Sequence, residues 1–307
     1  MKEVFPITTG FSTLEEALKS VNADFVAELV PVLQSVTLNE TEAFEPIKGY
    51  GCIRRQDNLT PLAIMSNRYG ITQFKDALSF VNDLAANQAK IVSAAATDDG
   101  ARVHIALRSP NTIVFAPGDE IECFYTASTS HDGSGSIQLM CSPVHKQTQT
   151  MLTTLDSGVI KLRHTSRVRD RLARASGILT KMNSVWDVHA DRIGKFTKIT
   201  VTDDDVRTYF AMLVPSETET IHPRTQNVRN KLFDIYKTGI PSKLPSCNGT
   251  LLGGFVSALV YGDYYKTVRQ SIVGRSEKDA MIESRLTGSS ARFKADAFAA
   301  CLKLAGF

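Results

Sequence analysis

The stretch that decides the fold is KIVSAAATDDGARVHIALR, residues 90–108. Apolar and β-branched residues on both sides of Asp98-Asp99-Gly100 predict two strands, Lys90–Ala95 and Ala101–Arg108. The Asp-Gly step between them tolerates the positive φ angles of a tight hairpin turn. Glu120–Thr129 then completes a three-stranded antiparallel meander. This order of strands indicates an antiparallel sheet rather than a doubly wound parallel one.

Upstream of the meander, the sequence predicts a helix, a β-hairpin and a second helix. Residues 12–35 carry apolar side chains at helical spacing behind an acidic first turn. Tyr50–Arg55 and Pro61–Ser66 flank the turn Asp57-Asn58, which predicts a hairpin. Gln73–Asn87 again places its apolar residues on one helical face.

Downstream of the meander, Ser136–Ser142 returns as a strand and the rest of the chain is predicted to be mainly helical. The predicted helices cover residues 146–156, 159–183, 203–213, 225–237, 250–270 and 289–305. The fold class is therefore α+β, with a β-hairpin, a helix and an antiparallel three-stranded meander followed by a mainly helical C-terminal half. We expect an acidic helical arm over residues 1–45, an α+β core with a basic helix over 46–183, and a helical region over 184–307.

Composition fits an intracellular protein with a sizeable core. Of the 307 residues, 43% are hydrophobic and 22% are charged, which suffices for one large domain or two smaller ones. The apolar stretch Leu251–Tyr261 is too short for a spanning helix, which needs roughly 20 apolar residues. Met1–Gly10 lacks the basic start and apolar run of a secretory signal. We therefore expect a cytoplasmic protein that has no membrane partner.

The five cysteines are scattered and form no CxxC pair. An odd number of isolated cysteines predicts free thiols in a reducing compartment. A structural zinc site needs clustered Cys or His ligands, and the six histidines are equally scattered. The sequence therefore predicts no metal and no cofactor. The cysteines are Cys52, Cys123, Cys141, Cys247 and Cys301.

A basic helix is the most informative charged element, although the net charge of the chain is only +3. Residues 1–50 are acidic, whereas residues 161–181 contain a single acid, Asp170, among many Lys and Arg. Over residues 160–182, arginines recur every three or four residues on one predicted face, and an apolar stripe recurs on another. The arginines are Arg163, Arg167, Arg171 and Arg174, and the apolar stripe is Val168, Leu172, Ala175, Leu179 and Met182.

The arginine stripe has two interpretations. Guanidinium groups one helical turn apart match a phosphate backbone, which they bind by releasing counterions. The same spacing fits a solvated helix face, or arginines paired with the acidic N-terminal region of a neighbouring subunit. Under the first interpretation, Arg54, Arg55 and Lys146 are predicted to help hold the nucleic acid.

Two polar runs resemble catalytic or metal sites but have simpler explanations. Ser130-His131-Asp132-Gly133-Ser134 cannot be a Ser–His–Asp triad, because adjacent residues do not converge on one reacting atom. It is predicted to be a tight turn, with a ligand contact by His131 as the alternative. Asp203-Asp204-Asp205 follows Thr202 and is predicted to cap a helix rather than bind metal.

Two further motifs leave a functional alternative open. Ser289, Ser290 and Arg292 begin the last predicted helix, either as an ordinary N-cap or as a phosphate contact. A tyrosine cluster ends the apolar helix, either as core packing or as a platform for base stacking. The tyrosines are Tyr261, Tyr264 and Tyr265.

Taken together, several motifs resemble the phage- and plasmid-like proteins catalogued as domain of unknown function 932, and the resemblance covers most of residues 45–305. The motifs are Tyr69-Gly70-Ile71, Gln73-Phe74, Ala77–Phe80, Ser130–Ser134, Pro143-Val144, Arg163–Ser166, Asn227-Val228-Arg229, Gly249–Tyr261, Gly288-Ser289 and Lys294. This resemblance implies a mobile-element setting. The order of hairpin, helix, meander and helix is also similar to the core of phage single-strand annealing proteins, which is an analogy of fold.

The chain departs from the family pattern at two places. The family usually has an arginine and then Cys-Gln-Asn-Thr after the Pro-Val pair, whereas residues 145–151 read HKQTQTM and retain Gln149. The tryptophan common after Gly-Thr-Leu is Leu252 here. If the missing polar cluster carries an activity in relatives, that activity is lost or altered in this protein.

Three functions remain as hypotheses. The first is a single-stranded-DNA-binding protein that promotes annealing as a homo-oligomer, ring or filament, without a cofactor. The second is a protein–protein interaction factor of a mobile element, for anti-defence or recruitment, in which the arginine stripe meets an acidic surface. The third is an enzyme such as a nuclease, for which the sequence offers no clustered carboxylates and histidines.

Overall fold

In this computed structural model, the structure describes residues 10–38, 41–152, 159–163, 178–216, 220–268 and 274–307. The first described element is helix α1, Leu14–Ser20, whose N-cap Thr13 accepts a hydrogen bond from the Glu16 amide. Two sheets and a set of C-terminal helices follow. This arrangement confirms the α+β class.

The helix predicted over residues 12–35 ends early, and its second half is a strand. Helix α1 stops before Asn22, which has a positive φ of 53°, and strand β1 runs over Ala27–Leu38. The prediction was wrong here because β-branched residues recur along this segment, and Pro31 lacks the amide that a helix interior requires. The predicted acidic helical arm is therefore, over its described length, a short helix followed by a β-strand.

The first sheet has three antiparallel strands in the order β1-β2-β3. Strand β2 is Thr41–Arg55 and strand β3 is Pro61–Ser66. Their register places Cys52 opposite Ile64, which confirms the predicted hairpin. Strand β2 also pairs with β1 over the full length of β1.

Two short helices replace the single helix predicted over residues 73–87. Helix α2 is Phe74–Ala77 and helix α3 is Phe80–Ala86. The backbone breaks at Leu78, where φ is −106° and ψ is 14°. The break allows the two segments to turn relative to one another, and Phe74, Leu78 and Phe80 are all buried.

The second sheet has six antiparallel strands and contains the predicted meander. Strands β4 to β8 follow one another along the sheet, and β9 pairs with β7. The turn Asp98-Asp99-Gly100 has positive φ at all three residues, as the hairpin prediction requires. The strands are β4 Lys90–Thr97, β5 Arg102–Ala116, β6 Asp119–Ser130, β7 Ile137–His145, β8 Thr150–Met151 and β9 Val159–Leu162.

Two predicted helices are wrong at residues 150–151 and 159–162, whereas residues 178–183, the described end of the second, are helical. Thr150–Met151 lies within the predicted helix 146–156 but pairs with Val144 and His145 of β7. Val159–Leu162 lies within the predicted helix 159–183 but also pairs with β7. Both segments contain β-branched residues, and the open edge of β7 supplies the partner that overrides their helical spacing.

The C-terminal half contains six helices among the described residues. The predictions at 203–213, 225–237 and 289–305 are confirmed, whereas the helix Glu277–Leu286 was not predicted. The Asp203 run caps a helix, because Thr202 and Asp205 form a reciprocal capping box. The helices are α4 Ile178–Phe196, α5 Asp203–Leu213, α6 Pro223–Thr238, α7 Leu251–Val260, α8 Glu277–Leu286 and α9 Ser289–Leu304. A π-helical turn, Tyr261–Tyr265, extends α7.

One hydrophobic cluster connects the sheet with the helices. It contains residues from all three predicted segments, among them Leu14, Val103 and Cys301. Every residue of α7 is buried, and Phe255 of this helix lies 5.5 Å from Phe298, measured between ring centroids. Among the described helices, none combines the length and the hydropathy needed to span a bilayer. The five cysteines are free thiols.

Close packing at the start of α7 gives a test of this core. A Cβ at Gly253 would lie 1.9 Å from the carbonyl oxygen of Cys247, so Gly253→Ala should lower the free energy of unfolding by about 1–3 kcal/mol. A Cβ at Gly194 of α4 would meet no atom within 4 Å, so Gly194→Ala should raise that free energy by about 0.5–1 kcal/mol. Chemical denaturation measures both, and equal effects would contradict the packing of α7.

Candidate nucleic-acid interface

The structure describes four of the seven basic residues predicted to bind nucleic acid. Arg163 is exposed just after β9, while Arg167, Arg171 and Arg174 lie outside the described residues. Arg54 Nε donates to Glu28 at 2.8 Å, and Lys146 Nζ lies 2.8 Å from Glu120. Arg54 and Lys146 are therefore each paired with a carboxylate. The predicted surface is not assembled from the described residues alone.

Arg55 has a structural role. Its guanidinium donates to both carboxylate oxygens of Asp57, at 2.9 and 2.7 Å, and to the backbone oxygen of Asp99 at 3.1 Å. The same group lies 4.0 Å from the centroid of the Phe25 ring. With these partners and only 8% exposure, Arg55 ties the first sheet to the Asp98–Gly100 turn.

The Ser130–Ser134 run is a turn, and His131 is buried beneath it. The imidazole stacks on Phe74 with 3.9 Å between ring centroids, and the His131 amide donates to the Ala101 carbonyl at 2.7 Å. Asp132 accepts hydrogen bonds from Ser134. At 1% exposure, His131 cannot reach a ligand at the loop tip without movement of the turn.

The two serines at the start of α9, Ser289 and Ser290, differ in burial and in role. Ser290 is buried and accepts a hydrogen bond from the Ser284 hydroxyl at 3.0 Å, so it joins α8 to α9. Ser289 and Arg292 are exposed. Of the predicted phosphate contacts, Ser289 lines a cleft between helices, whereas Ser290 has a packing role.

Two adjoining clefts form what we call the C-terminal groove. The wide cleft has a volume of about 760 Å³ and the narrow cleft about 540 Å³. They share Arg224, Lys266 and Thr267, so a ligand can cross from one to the other. Residues that line the wide cleft include Lys231, Tyr261, Tyr265 and Phe293, and those of the narrow cleft include Arg102, Arg275, Glu283, Thr287 and Ser289.

The positively charged side chains where the two clefts meet are available to bind a ligand. Arg224 and Lys266 make no ion pair with a carboxylate of the described residues, and Arg224 is exposed. Lys231 lies 3.2 Å from Asp234, but both side chains are exposed, which makes the pair weak. The cations at the junction of the two clefts can therefore meet an anionic ligand without first giving up a buried partner.

Aromatic rings stand beside these cations. Tyr265 is 50% exposed, and the Lys231 ammonium lies 4.5 Å from its ring centroid. Tyr261 and Phe293 pack at a tilt with 5.6 Å between centroids. Tyr264 instead donates its hydroxyl to the carbonyls of Thr148 and Gln149, both at 3.0 Å. Within the tyrosine cluster, Tyr261 and Tyr265 therefore form a wall of the groove, whereas Tyr264 anchors the segment to the backbone of residues 148–149.

A buried ion pair holds this aromatic wall. Lys294 and Asp263 are both fully buried, with 2.7 Å between Nζ and Oδ1, and Asp263 Oδ2 accepts the Met151 amide at 3.2 Å. Burial lowers the pKa of Lys294, and the charge of Asp263 partly opposes that shift. Because Asp263 lies within the π-helical turn, the pair fixes the segment that carries Tyr261 and Tyr265.

A second buried network forms the floor of the narrow cleft. Glu283 of α8 accepts hydrogen bonds from Thr97 at 2.7 Å and from Arg102 at 2.9 Å, and lies 2.9 Å from His104 Nε2. Burial raises the pKa of Glu283, but the hydrogen bond and charge of His104, with Thr97 and Arg102, outweigh it, so the pKa is lowered. The network docks α8 on strands β4 and β5.

Neighbouring ion pairs extend this network. Arg275 Nε donates to Asp98 at 2.7 Å, and the Asp98 amide donates to Asp279 of α8 at 3.1 Å. Arg102 also donates to Asp132 at 2.8 Å. Hydrogen bonds from Ser134 and Arg102 overcome the effect of burial and lower the pKa of Asp132. Arg102 and Arg275 therefore line the narrow cleft, but their charges are already neutralised by neighbouring carboxylates.

The expectation that histidines and carboxylates do not cluster needs correction. In space, His104 Nδ1 lies 2.8 Å from Ser128 Oγ while His104 Nε2 faces Glu283, so the order is serine, histidine, carboxylate. Ser128 is 6% exposed and does not line the groove, so its hydroxyl does not face a ligand bound there. Among the described residues, no group of His, Cys, Asp and Glu side chains is arranged to hold a metal ion.

Sequence reasoning missed the cations of the groove because they are far apart in the chain. Arg224 lies in the first turn of α6 and Lys266 follows the π-helical turn, and neither belongs to a periodic stripe. The nearest signal was the tyrosine cluster, which ends immediately before Lys266. The contact between these segments depends on the packing of α6, α7 and α9, which local patterns do not encode.

The Glu283 network gives a prediction about pH. A carboxylate whose pKa is lowered by folding stabilises the protein above its unfolded pKa of about 4.3 and loses that effect as pH falls through the folded value. Glu283→Gln should lower the free energy of unfolding at pH 7 by about 3–5 kcal/mol, because it breaks a buried pair. It should also reduce the loss of stability on acidification below about pH 4, measured by denaturation at several pH values.

The matched control is Glu277→Gln, in the exposed first turn of the same helix. It removes the same charge without touching the network, so its stability and pH profile should stay near those of the wild type. If both variants behave alike, the network does not dock α8.

Comparison with known proteins places the chain in a family without assigning an activity. Residues 61–282 match the family described as Domain of unknown function (DUF932). No curated protein and no solved structure matches the chain. The matched range includes strands β3 to β9 and helices α2 to α7, and it ends within α8. Since this range is more than half of the chain, the protein belongs to the DUF932 family.

Proposed function

We propose that this protein binds single-stranded DNA in the C-terminal groove and promotes strand annealing, acting as an oligomer without cofactor or nucleotide. The observation that carries the proposal is the groove itself, in which Arg224 and Lys266 stand beside the exposed ring of Tyr265. A single strand bound by charge and stacking leaves the pairing edges of its bases free. Those edges can then test a complementary strand.

The chemistry of the groove suits a single strand better than a duplex. Cations that track a phosphate backbone and aromatic rings that stack on successive bases are the two contacts used for strands without sequence preference. In a duplex the bases are already stacked, so Tyr265 would have no free face to meet. The aromatic wall is therefore the feature that separates the two substrates.

The arginine stripe supplies a second predicted contact surface. Arg163 is exposed, and Arg167, Arg171 and Arg174 follow it at helical spacing in the sequence. Arg54 and Lys146 can assist by exchanging a carboxylate partner for a phosphate. The arginine stripe is inferred from the spacing of residues in the sequence, whereas the groove is defined by contacts in the structure. Variants of both surfaces must therefore be compared.

The biological setting is part of the proposal. The sequence motifs resemble phage- and plasmid-like proteins, and the order of hairpin, helix, meander and helices is similar to that of phage single-strand annealing proteins. We infer a role in DNA recombination for a bacteriophage or another mobile element, in the cytoplasm of a bacterial host. We propose no enzymatic step, because Ser128, the hydroxyl beside His104 and Glu283, is only 6% exposed and does not line the groove.

Charge reversal in the groove should weaken DNA binding. Arg224→Glu/Lys266→Glu should reduce the affinity for a single-stranded oligonucleotide at least tenfold, because two cations at the junction of the clefts become anions. The slope of log affinity against log salt should fall by about 0.7 for each phosphate that the variant no longer binds. Fluorescence anisotropy at several salt concentrations measures both quantities. Annealing of labelled complementary oligonucleotides should slow in parallel.

The matched control is Lys75→Glu/Lys90→Glu, which reverses two exposed charges outside the groove. Its affinity should stay close to that of the wild type after correction for net charge. Arg167→Glu/Arg171→Glu tests the stripe in the same assay. If wild-type binding does not depend on salt, or if both the groove and the stripe variants bind normally, the DNA proposal fails and a protein partner for the basic surface becomes the better explanation.

Tyr265 should contribute by stacking rather than by its hydroxyl. Tyr265→Ala should weaken binding of single-stranded DNA by about 1–3 kcal/mol, whereas Tyr265→Phe keeps the ring and should bind normally. Binding of a duplex of equal length should change little in either variant. Anisotropy titrations with both substrates measure these differences, and equal losses in the two variants would rule out stacking.

A further inference from the structure

Among the described residues, strand β1 forms an edge of the first sheet that the Gln73 amide covers at Ala27 and that is open from Leu33 onward. Sheet order places β1 beside β2 alone, so no other described strand pairs with its outer side. Residues 29–38 read LVPVLQSVTL and contain no charged residue. Proteins usually protect an open edge with charges, bulges or short strands, because exposed backbone groups there invite pairing with another strand. Pro31 and the bulge between Pro31 and Leu33 interrupt this edge at one point and leave residues 33–38 unprotected.

The far part of the β1–β2 hairpin extends away from the core. Leu33 is 54% exposed and Phe44 is 66% exposed. The register pairs Leu33 with Pro46 and Ser35 with Phe44, and pairs two residues apart lie on the same face of a sheet. Leu33 and Phe44 therefore form one exposed apolar patch beside the open edge.

The other edges of this sheet are better protected. Beyond the reach of β3, strand β2 carries Glu42, Glu45 and Lys48 and contains Pro46, which interrupt pairing. Strand β3 has only 6 residues and begins with Pro61. The side chain of Met65 in β3 also lies against Gly133. The outer side of β1 is therefore the edge best suited to accept a further strand.

We propose that β1 pairs antiparallel with β1 of a second copy of this chain. Paired through residues 33–38, which carry no charge, the two strands place no like charges opposite one another, and a two-fold axis makes the contact self-complementary and closed. The two three-stranded sheets then join into one of six strands. The Leu33–Phe44 patches of both copies lie on the same face of that sheet, where they bury one another beside the axis.

This dimer gives the proposed oligomer a contact surface and a symmetry, but it does not depend on DNA binding. An edge contact of this kind ends at two copies. Larger rings or filaments would require a further surface.

Light scattering at tens of micromolar protein, without DNA, tests the inference. The wild type should have twice the mass of the chain, and Leu33→Lys/Val36→Lys should have the mass of one chain, because charges opposite each other across the axis repel. The control Val188→Lys/Leu304→Lys adds the same charges at exposed apolar helix positions and should remain dimeric. Unchanged circular dichroism shows that the edge variant is folded.

Hydrogen exchange locates the contact. Amides of residues 33–37 should exchange more slowly as the wild-type concentration rises through the dimerisation range, while those of residues 61–66 should not change. A monomeric wild type, an edge variant that stays dimeric, or a dimer without slower exchange in β1 each overturns the proposal. Because these measurements contain no DNA, their failure leaves the function of the groove to be judged by its own assays.

Discussion

The hydrogen bonds of Glu283 connect the two halves of the molecule, and the groove depends on them. One carboxylate on α8 meets Thr97, Arg102 and His104, which come from two adjacent strands. Such a network stabilises one arrangement of helix and sheet because a shifted α8 would leave buried charges without partners. The narrow cleft exists only while α8 keeps this position, since Arg102, Glu283 and the residues after α8 form its walls.

The Lys294–Asp263 pair has a corresponding role for the wide cleft. A fully buried ion pair contributes little net stability compared with apolar packing, but loss of one partner is costly. Here the ion pair holds the aromatic wall in position, because Asp263 belongs to the π-helical turn that carries this wall. Both clefts are therefore built on buried charges whose partners lie far apart in the sequence. Arg224 and Lys266, which form no ion pair with a carboxylate of the described residues, stand between these two supported clefts.

The sequence predicted the elements whose signals are local. The β2–β3 hairpin, the strands around Asp98-Asp99-Gly100 and the capped helix at Asp203 follow from turn chemistry and capping, which involve neighbouring residues. Predictions failed where a partner that is distant in the sequence decided the conformation. The apolar spacing of β1 also fits a helix, but hydrogen bonding to β2 makes this segment a strand. The groove could not be predicted for the same reason. Its cations come from α6 and from the segment after the π-helical turn, and only packing brings them together.

Residues 145–151 lie directly beneath the aromatic wall. Tyr264 anchors that wall by donating its hydroxyl to the carbonyls of Thr148 and Gln149, and Asp263 accepts the amide of Met151. These contacts use backbone carbonyls, which every residue type provides, and one backbone amide, which every residue type except proline provides. Side chains in this segment can therefore change while the anchor remains, provided that the backbone path through Gln149, with its positive φ of 51°, is kept. A backbone anchor of this kind can therefore hold the groove wall in place when the side chains of residues 145–151 change.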